Sequence, residues 1–312
     1  MNRYALGIDT SNYRTSCALL NTESGSFENI GELLNVPSGS LGLRQSDALF
    51  QHVRRLPKLM ERLCAKLDGP IAALGVSDRP RRRGNSYMPC FLAGLSAART
   101  AAAALRLQPC LFSHQEGHIA SALYSADKLS WLGAPFLSWH LSGGTTELLW
   151  VRAEKQDEMD VQIIGGSRDL AAGQVIDRAG VALGLPFPAG PHLEALALSC
   201  DDTRFFRVRL DGLSFSLSGV ENQFRAAIQR GDSSASVARV TLNTVTEAVR
   251  SVTAAAQWEY SVPVLFSGGV SASAFLKKAL PESESLCFAQ KGLAGDNALG
   301  AAVLAARQRG IL

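Results

Sequence analysis

The sequence predicts an α/β protein built as two lobes, and three observations support this class. The chain opens with an apolar strand over residues 4–8, a polar turn over residues 9–13 and a second strand over residues 15–20, which together are typical of a β-hairpin. An apolar strand followed by Ser-Gly-Gly then occurs twice, at residues 142–144 and 267–269. In addition, 312 residues are more than one hydrophobic core usually holds.

The first lobe is predicted to alternate helices with short strands. Apolar residues such as Leu49, Val53 and Leu56 recur at helical spacing, and Pro80, Gly84 and Pro89 interrupt regular structure. The predicted elements, in chain order, are a helix over residues 45–67, a strand over 71–76, a loop over 78–89, an alanine-rich helix over 91–105 and a strand over 110–112.

The second lobe is predicted from the same alternation. Its elements are strands over residues 135–139 and 146–151, a helix from residue 172, a rigid loop over 185–191, a junction at 214–219, a long helix over 237–258, a strand over 262–266, a helix over 272–280 and a last helix over 296–307. We place the first lobe at residues 1–110, with a helix over 111–125 at the cleft, and the second lobe at residues 126–312. The last helix is expected to pack back on the first lobe.

Composition and charge exclude several classes. The chain is 46% apolar and 19% charged, which is ordinary for a globular protein, and its net charge of +3 does not by itself indicate nucleic-acid binding. Six cysteines form no C-x-x-C pair, so neither a zinc ribbon nor a disulfide scaffold is expected. We see no signal-peptide pattern and no apolar run long enough to cross a membrane, and we therefore expect a cytoplasmic protein.

Two histidines four residues apart, His114 and His118, would lie on one face of a helix with both imidazoles aimed at one ion. The favoured third ligand is Asp296, near the start of the last helix. The alternative is two unrelated polar residues at a helix start. The spacing is not that of H-E-x-x-H, because Glu116 comes two positions after His114.

The glycine turns are candidates for phosphate binding, because glycine lets backbone amides approach a ligand closely. They are Ser142-Gly143-Gly144 and Gly268-Gly269. Thr10 and Ser11 at the first hairpin tip could also hold phosphate, or form an ordinary polar turn.

Two charged features remain open. Asp177 could serve a ligand or simply pair with Arg178 on the surface. The arginines over residues 79–83 could meet an anionic substrate, or form a solvated loop.

Taken together, the halves describe the two-lobed α/β nucleotide-binding fold of the actin, hexokinase and heat-shock ATPase type (ASKHA), and seven motifs resemble one branch of it. Their order is similar to that of the TsaD family, once labelled glycoproteases, and the resemblance covers nearly the whole chain. The motifs are His114-Gln115-Glu116-Gly117-His118, Ser142-Gly143-Gly144, Ala172-Gly173 with Asp177, the loop over residues 188–191, Ser214-Phe215-Ser216 with Gly219, the turn over 267–271, and Asp296-Asn297.

This resemblance implies a protein that binds iron or zinc and threonylcarbamoyl-AMP or another adenine nucleotide, with Mg²⁺ accompanying ATP. It implies transfer of threonylcarbamoyl to N6 of an anticodon-loop adenosine in tRNA, and a TsaB-like or homodimeric ASKHA partner. By position, the metal ligands would be His114, His118 and Asp296. The nucleotide would be held by Leu141, Ser142, Gly143, Gly144, Asp177, Gly190, Gly268, Gly269 and Ser273, together with Thr10 and Ser11.

The chain departs from the family pattern at residues expected to act in transfer. Tyr13 and Arg14 replace an acidic pair, Thr145 replaces a histidine, and Ser273 replaces an asparagine. An arginine-rich segment from Arg81 replaces a Gly-Pro-Gly-Leu loop. Asp9 is the carboxylate left at the first tip, and we predict that it partly takes over proton transfer.

Three functions follow from these patterns. The first is a metal-dependent tRNA threonylcarbamoyltransferase-like enzyme, with either the family's acceptor or an altered one. The second is a regulatory paralogue that binds nucleotide and metal without transfer chemistry. The third is the metalloprotease of the older label, which ranks last because the sequence shows no nucleophile–base pair.

Overall fold

The computed structural model describes residues 2–11, 13–36, 43–82, 86–153, 158–290, 292–293 and 298–312. The chain divides into two compact units. The first contains Met1–Ala134, Ala153–Asp160 and Gly292–Leu312, and the second contains Pro135–Arg152 and Val161–Lys291. The histidine helix and the last helix therefore belong to the first unit.

The first unit is built on a five-stranded sheet that begins with the predicted hairpin. Its strands are β1 (Tyr4–Ser11), β2 (Arg14–Asn21), β3 (Phe27–Leu33), β4 (Ile71–Arg79) and β5 (Cys110–Ser113), in the order β3-β2-β1-β4-β5. β1 runs antiparallel to β2 and parallel to β4. Its helices are α1 (Gln45–Cys64), α2 (Phe91–Leu105), α3 (His114–Ser125) and α9 (Leu299–Gln308).

The second unit is built on a seven-stranded sheet. Its strands are β6 (Phe136–Leu141), β7 (Thr146–Ala153), β8 (Met159–Ser167), β9 (Arg209–Asp211), β10 (Ser214–Ser216), β11 (Val264–Ser267) and β12 (Leu286–Phe288), in the order β12-β11-β6-β7-β8-β10-β9. Its helices are α4 (Ala172–Ala182), α5 (Gly190–Ala197), α6 (Ser218–Gln229), α7 (Ser234–Tyr260) and α8 (Ala274–Ala279).

The predicted helices over residues 45–67, 91–105 and 237–258 are confirmed, as are both strands of the first hairpin. The rigid loop predicted over residues 185–191 is only partly correct, because α5 begins inside it at Gly190. The start of the last predicted helix, including Asp296, lies outside the described residues. Among the residues that the structure describes, no helix is both long and apolar enough to cross a bilayer.

Glycines bring α9 close to the histidine helix. A Cβ atom on Gly300 would lie 1.8 Å from the Gly117 carbonyl oxygen, so only glycine allows this separation. On the sheet side, a Cβ atom on Gly7 of β1 would lie 2.1 Å from the Ala298 carbonyl oxygen. The chain from Ala298 to Gly300 is therefore packed against both β1 and α3.

Candidate metal and nucleotide sites

A capping box fixes where the histidine helix starts. The Ser113 hydroxyl accepts a hydrogen bond from the Glu116 amide at 3.2 Å, and the Glu116 carboxylate accepts one from the Ser113 amide at 2.7 Å. This reciprocal pair satisfies two backbone donors that the helix leaves open. His114 is therefore the first residue of α3, and His118 follows one turn later.

The two imidazoles meet as the spacing predicts. Nε2 of His118 lies 2.8 Å from Nε2 of His114, and the ring centroids are 4.3 Å apart. Two nitrogens bound to one ion through bonds of about 2.1 Å would be separated by roughly 2.9–3.4 Å at the usual ligand angles. The pair therefore needs little movement to share an ion.

Asp9 anchors the first of these histidines. Its Oδ2 lies 2.6 Å from His114 Nδ1 and accepts a hydrogen bond from the Ser77 hydroxyl at 2.8 Å, while Oδ1 accepts one from the Ser11 amide at 2.8 Å. A carboxylate on Nδ1 favours the tautomer that carries its lone pair on Nε2, the form in which an imidazole can bind a metal. Asp9 is only 1% exposed, so this contact is the role that the geometry shows. Its proton-transfer role stays a prediction.

The donors suit the expected metals, although the described residues give only part of the ligand set. Imidazole nitrogens are good ligands for both iron and zinc. Within the described ranges, no group of three His, Cys, Asp or Glu side chains is arranged to hold an ion. Asp296 lies outside those ranges, so its part in the site stays a prediction.

The other residues of the first tip are buried. The Thr10 hydroxyl donates to the Cys90 carbonyl at 3.1 Å and accepts from the Gly94 amide at 3.1 Å. The Ser11 hydroxyl is buried without a hydrogen-bond partner. The structure thus ties Thr10 to the start of α2, and leaves Ser11 with an unused polar atom.

The second unit contains a cavity of about 620 Å³, which is within the usual size range for small-molecule sites. It lies among the β6–β7 turn, the first turns of α4 and α5, and the turn after β11. The structure brings five predicted nucleotide residues together on its wall, namely Gly143, Asp177, Gly190, Gly269 and Ser273.

The glycines of the two turns differ in what surrounds them. Around Gly143, Gly144 and Gly269 an added Cβ would meet nothing within 4 Å, so their backbone is open to a ligand. Gly268 has φ +91°, and a Cβ there would lie 2.2 Å from the carbonyl oxygen of the buried Leu141. Gly268 and Leu141 thus shape the floor of the turn. The Ser142 hydroxyl accepts a hydrogen bond from the Thr145 amide at 3.0 Å, which closes the β6–β7 turn.

Polar groups on the cavity wall are positioned from the backbone. Oδ1 of Asp177 accepts a hydrogen bond from the Ala189 amide at 2.7 Å, and the Ser273 hydroxyl is buried without a partner. The surface pairing considered for Asp177 is not seen, because Arg178 contacts Glu221 at 2.6 Å. A held carboxylate and an unused hydroxyl both suit the hydroxyl groups of a bound ligand.

Sequence reasoning missed Glu194 on this wall. Its Oε1 accepts a hydrogen bond from the Ala274 amide at 2.7 Å, which joins α5 to α8. The available signal was Pro191 near a helix start, a position that proline favours. None of the described residues on the cavity wall is Lys, Arg or His. Phosphate bound here would depend on backbone amides and a cation.

The strand order and the glycine turns define the fold class, which a solved structure supports. A ROK family glucokinase from Streptomyces griseus, determined with glucose and AMPPNP, matches with a TM-score of 0.52 and 12% identity, covering 98% of this chain and 99% of that chain. The protein therefore has the ASKHA type of α/β fold, as the sequence predicted.

The sequence comparisons then identify the branch. A profile of the TsaD family, described as tRNA N6-adenosine threonylcarbamoyltransferase, matches residues 45–303. The enzyme of that name from Halalkalibacterium halodurans is 32% identical, covering 89% of this chain and 81% of its own length. One from Thermus thermophilus is 30% identical, covering 98% of this chain and 94% of its own length. This chain belongs to the tRNA N6-adenosine threonylcarbamoyltransferase family.

Proposed function

We propose that this protein binds a divalent metal and an adenine nucleotide or threonylcarbamoyl-AMP, and transfers the threonylcarbamoyl group to an amine. The amine nitrogen loses a proton as its bond to the carbamoyl carbon forms, and AMP leaves. The acceptor that the named relatives suggest is N6 of adenosine in tRNA. The observation that carries the proposal is the chain of contacts from Asp9 to His114 to His118, in which the two Nε2 atoms lie 2.8 Å apart, close enough for both to bind one ion.

The proposed metal is iron or zinc, held by His114 and His118 together with Asp296. Close packing of α9 against α3 at Gly300 and Gly117 supports Asp296 as the third ligand, because Asp296 lies only two residues before Ala298. When bound, the metal would supply Lewis-acid polarisation of carbamoyl or phosphate oxygens. Asp9 would hold the His114 ring in position for this purpose.

The nucleotide would lie in the cavity of the second unit. Open backbone at Gly143, Gly144 and Gly269 suits phosphate, since amides can approach it without a side chain between them. Asp177 and Glu194, each with one oxygen held by a backbone amide, would accept hydrogen bonds from ribose hydroxyls through the other. The buried Ser273 hydroxyl would gain the partner that it lacks.

Proton transfer from the attacking amine is the step for which the residues at the family's catalytic positions are least suited. Tyr13 and Arg14 stand at the first tip, and neither serves as a base at neutral pH. Thr145, which cannot titrate, closes the β6–β7 turn through its backbone. The buried and fully engaged Asp9 favours a second candidate function, in which the protein binds metal and nucleotide but regulates rather than transfers.

Both candidate functions require a bound metal, and the metal content of the purified protein tests this. We expect the purified protein to retain close to one iron or zinc per chain, and the double variant His114→Ala with His118→Ala to retain almost none. His192→Ala, which removes an exposed histidine of α5, is the matched control and should keep the metal. Equal metal in the double variant and the wild type would refute the site.

Modified adenosine in total tRNA decides between the two functions. The protein is expressed in a strain depleted of its own threonylcarbamoyltransferase but retaining its other components. Restored threonylcarbamoyl-adenosine, lost again in the histidine double variant, would establish transfer. Absence of the modified base, with metal and nucleotide still bound, would reject transfer to tRNA and leave a transferase with an altered acceptor or the regulatory alternative.

A further inference from the structure

Carboxylates neutralise two of the arginines whose role the sequence left open. Arg79 contacts the adjacent Asp78 at 2.6 Å, and Arg82 contacts the buried Glu116 of α3 at 3.1 Å. Arg83 lies outside the described residues. A different cavity, in the second unit, contains cations without such partners.

This cavity has a volume of about 380 Å³, which is within the usual size range for small-molecule sites. We call it the α7–α8 pocket, because it lies between one face of α7, one face of α8 and the end of α5. The residues of its wall on which binding would depend are Leu198, Arg239, Asn243, Thr246, Phe275 and Lys278. The three from α7 are spaced at i, i+4 and i+7, which places them on one side of that helix.

Arg239 is held in the pocket while part of its guanidinium stays unused. The guanidinium carbon lies 4.7 Å from the centre of the Phe275 ring, which is a cation–π contact. Nη1 donates to the Ala197 carbonyl oxygen at 3.4 Å, whereas Nε is buried without a hydrogen-bond partner. Within the described part of the chain, Nη2 forms no hydrogen bond. The neighbours of Arg239 therefore orient its charge without neutralising it.

No carboxylate balances the positive charge of the pocket. Lys278 of α8 is exposed and supplies a second cation, and the described residues of the wall include neither Asp nor Glu. Neither Arg239 nor Lys278 forms an ion pair with any residue that the structure describes. The nucleotide cavity differs, since the described residues of its wall include no Lys, Arg or His.

Two cations beside an apolar surface favour an anion that also has an apolar body. A phosphate monoester carries close to two negative charges at neutral pH, and both a guanidinium and an ammonium bind phosphate. The apolar part of the wall includes Leu198, which is 62% exposed, and the half-buried ring of Phe275. Covering such a surface with an apolar group is favourable.

We propose that the α7–α8 pocket binds a small phosphate monoester with an apolar body. The phosphate contacts Nη2 of Arg239 and the ammonium of Lys278, and the apolar body covers Leu198. The pocket adjoins the nucleotide cavity, because Leu198 lines both and Ala274 of the pocket wall is hydrogen-bonded to Glu194 of the nucleotide cavity. The inference does not depend on metal binding or on group transfer.

Saturation-transfer NMR on the full-length protein, with phenyl phosphate as the probe, tests the pocket. We expect saturation to reach the ring protons of phenyl phosphate. Inorganic phosphate has the charge without the ring, and phenol has the ring without the charge. Each should displace the probe only at an excess of about tenfold or more. ATP at a concentration that fills the nucleotide cavity should leave the signal of phenyl phosphate in place.

Two variants and a matched control connect the signal to the pocket. Arg239→Gln removes the oriented cation and should weaken phenyl phosphate binding about tenfold. Lys278→Gln changes an exposed residue and should weaken it about two- to fivefold without affecting the fold. Lys277→Gln is the control, because the neighbouring Lys277 ammonium lies 5.4 Å from the Phe288 ring centre and is not on the pocket wall. It should bind as the wild type does.

Thermal unfolding shows whether Arg239→Gln is folded, and Lys278→Gln decides the question if it is not. The pocket would be refuted by wild-type affinity in Lys278→Gln, or by an equal loss in Lys277→Gln. Displacement of phenyl phosphate by ATP would place the probe in the nucleotide cavity instead. Equal competition by inorganic phosphate, or no saturation transfer at millimolar phenyl phosphate, would also reject the proposal. None of these outcomes alters the tests of metal content and modified adenosine.

Discussion

The two units share a strand order but differ at the tip of their central hairpin. β3-β2-β1-β4-β5 in the first unit corresponds to β8-β7-β6-β11-β12 in the second, with β10 and β9 added beyond β8. The β1–β2 tip carries Asp9, Thr10 and Ser11, all buried. The β6–β7 tip carries Gly143 and Gly144, both exposed. One framework therefore supports two ways of holding a ligand.

The two tips differ in whether side chains or backbone groups are placed to contact a ligand. At the first tip, side chains act, and the buried carboxylate of Asp9 is hydrogen-bonded because burial without partners is costly. Asp9 finds Ser11, Ser77 and His114. At the second tip the backbone acts, and the absence of side chains is what keeps it accessible. We therefore expect substitutions at the first tip to lower both stability and metal affinity. At the second tip, a substitution can lower nucleotide affinity without changing stability.

Lowering the pH should produce the largest of the predicted effects, a loss of unfolding free energy through His52 in the first unit. Burial lowers the pKa of His52, which is hydrogen-bonded to Thr15 of β2, to about 4. In the unfolded chain His52 binds a proton near pH 6.5, whereas in the folded chain it does so only near pH 4. The contribution of His52 to the unfolding free energy is therefore fully present above pH 6.5 and falls as the pH drops toward 4. The loss at pH 4 should reach about 3 kcal/mol. Urea unfolding from pH 7 to 4 measures it.

His52→Gln is the comparison for that prediction. It can keep the hydrogen bond to Thr15 but has no titrating group, so its unfolding free energy should depend less steeply on pH between 6.5 and 4. Parallel pH profiles for the wild type and the variant would show that His52 does not contribute.

Asp9→Asn should produce the next largest effect. An amide keeps the size of the side chain, but it no longer presents a carboxylate to His114 Nδ1. Loss of such a support typically lowers metal affinity 10- to 100-fold. Competition with a chelator measures the affinity, and Asp177→Asn in the second unit is the control that should leave it unchanged. Equal affinities for all three proteins would contradict the anchoring role of Asp9.

Gly268→Ala and Gly143→Ala should differ in stability, because Gly268 packs against backbone whereas Gly143 is open. At Gly268 the positive φ and the approach of the Leu141 oxygen should make alanine cost about 1–3 kcal/mol of unfolding free energy. At Gly143, where the space is open, stability should change by less than about 0.5 kcal/mol. Nucleotide affinity should nevertheless fall in Gly143→Ala. Thermal unfolding and calorimetric titration with ATP test both, and similar stability of the two variants would count against this assignment.

Ser142→Ala should give the smallest effect. It removes the hydroxyl that accepts from the Thr145 amide, and one such hydrogen bond contributes about 0.5–1.5 kcal/mol. The turn should loosen without unfolding, which faster exchange of the Thr145 amide hydrogen would report. Exchange at the wild-type rate would mean that the backbone bond from Ser142 N to Thr145 O, at 2.8 Å, holds the turn alone.

Local pattern was enough to predict much of the fold. The first hairpin, helices α1, α2 and α7, and the placement of His114 and His118 follow from periodicity and spacing, which act over a few residues. The strands β3, β8, β9 and β12 were not predicted. β3 runs Phe-Glu-Asn-Ile-Gly-Glu-Leu at a sheet edge, and its mixed polarity gives no clear alternation.

The sequence by itself determined the two-lobed α/β class, the pairing of the two histidines and the existence of two glycine turns, because each depends on neighbours along the chain. Only the tertiary structure decided what those residues do. Asp9 reaches His114 across 105 positions, and Glu194 reaches Ala274 across 80. Gly268 and Gly143 look alike in sequence, yet one packs against Leu141 and the other is open. Such differences come from which distant backbone lies nearby, and no local pattern contains that information.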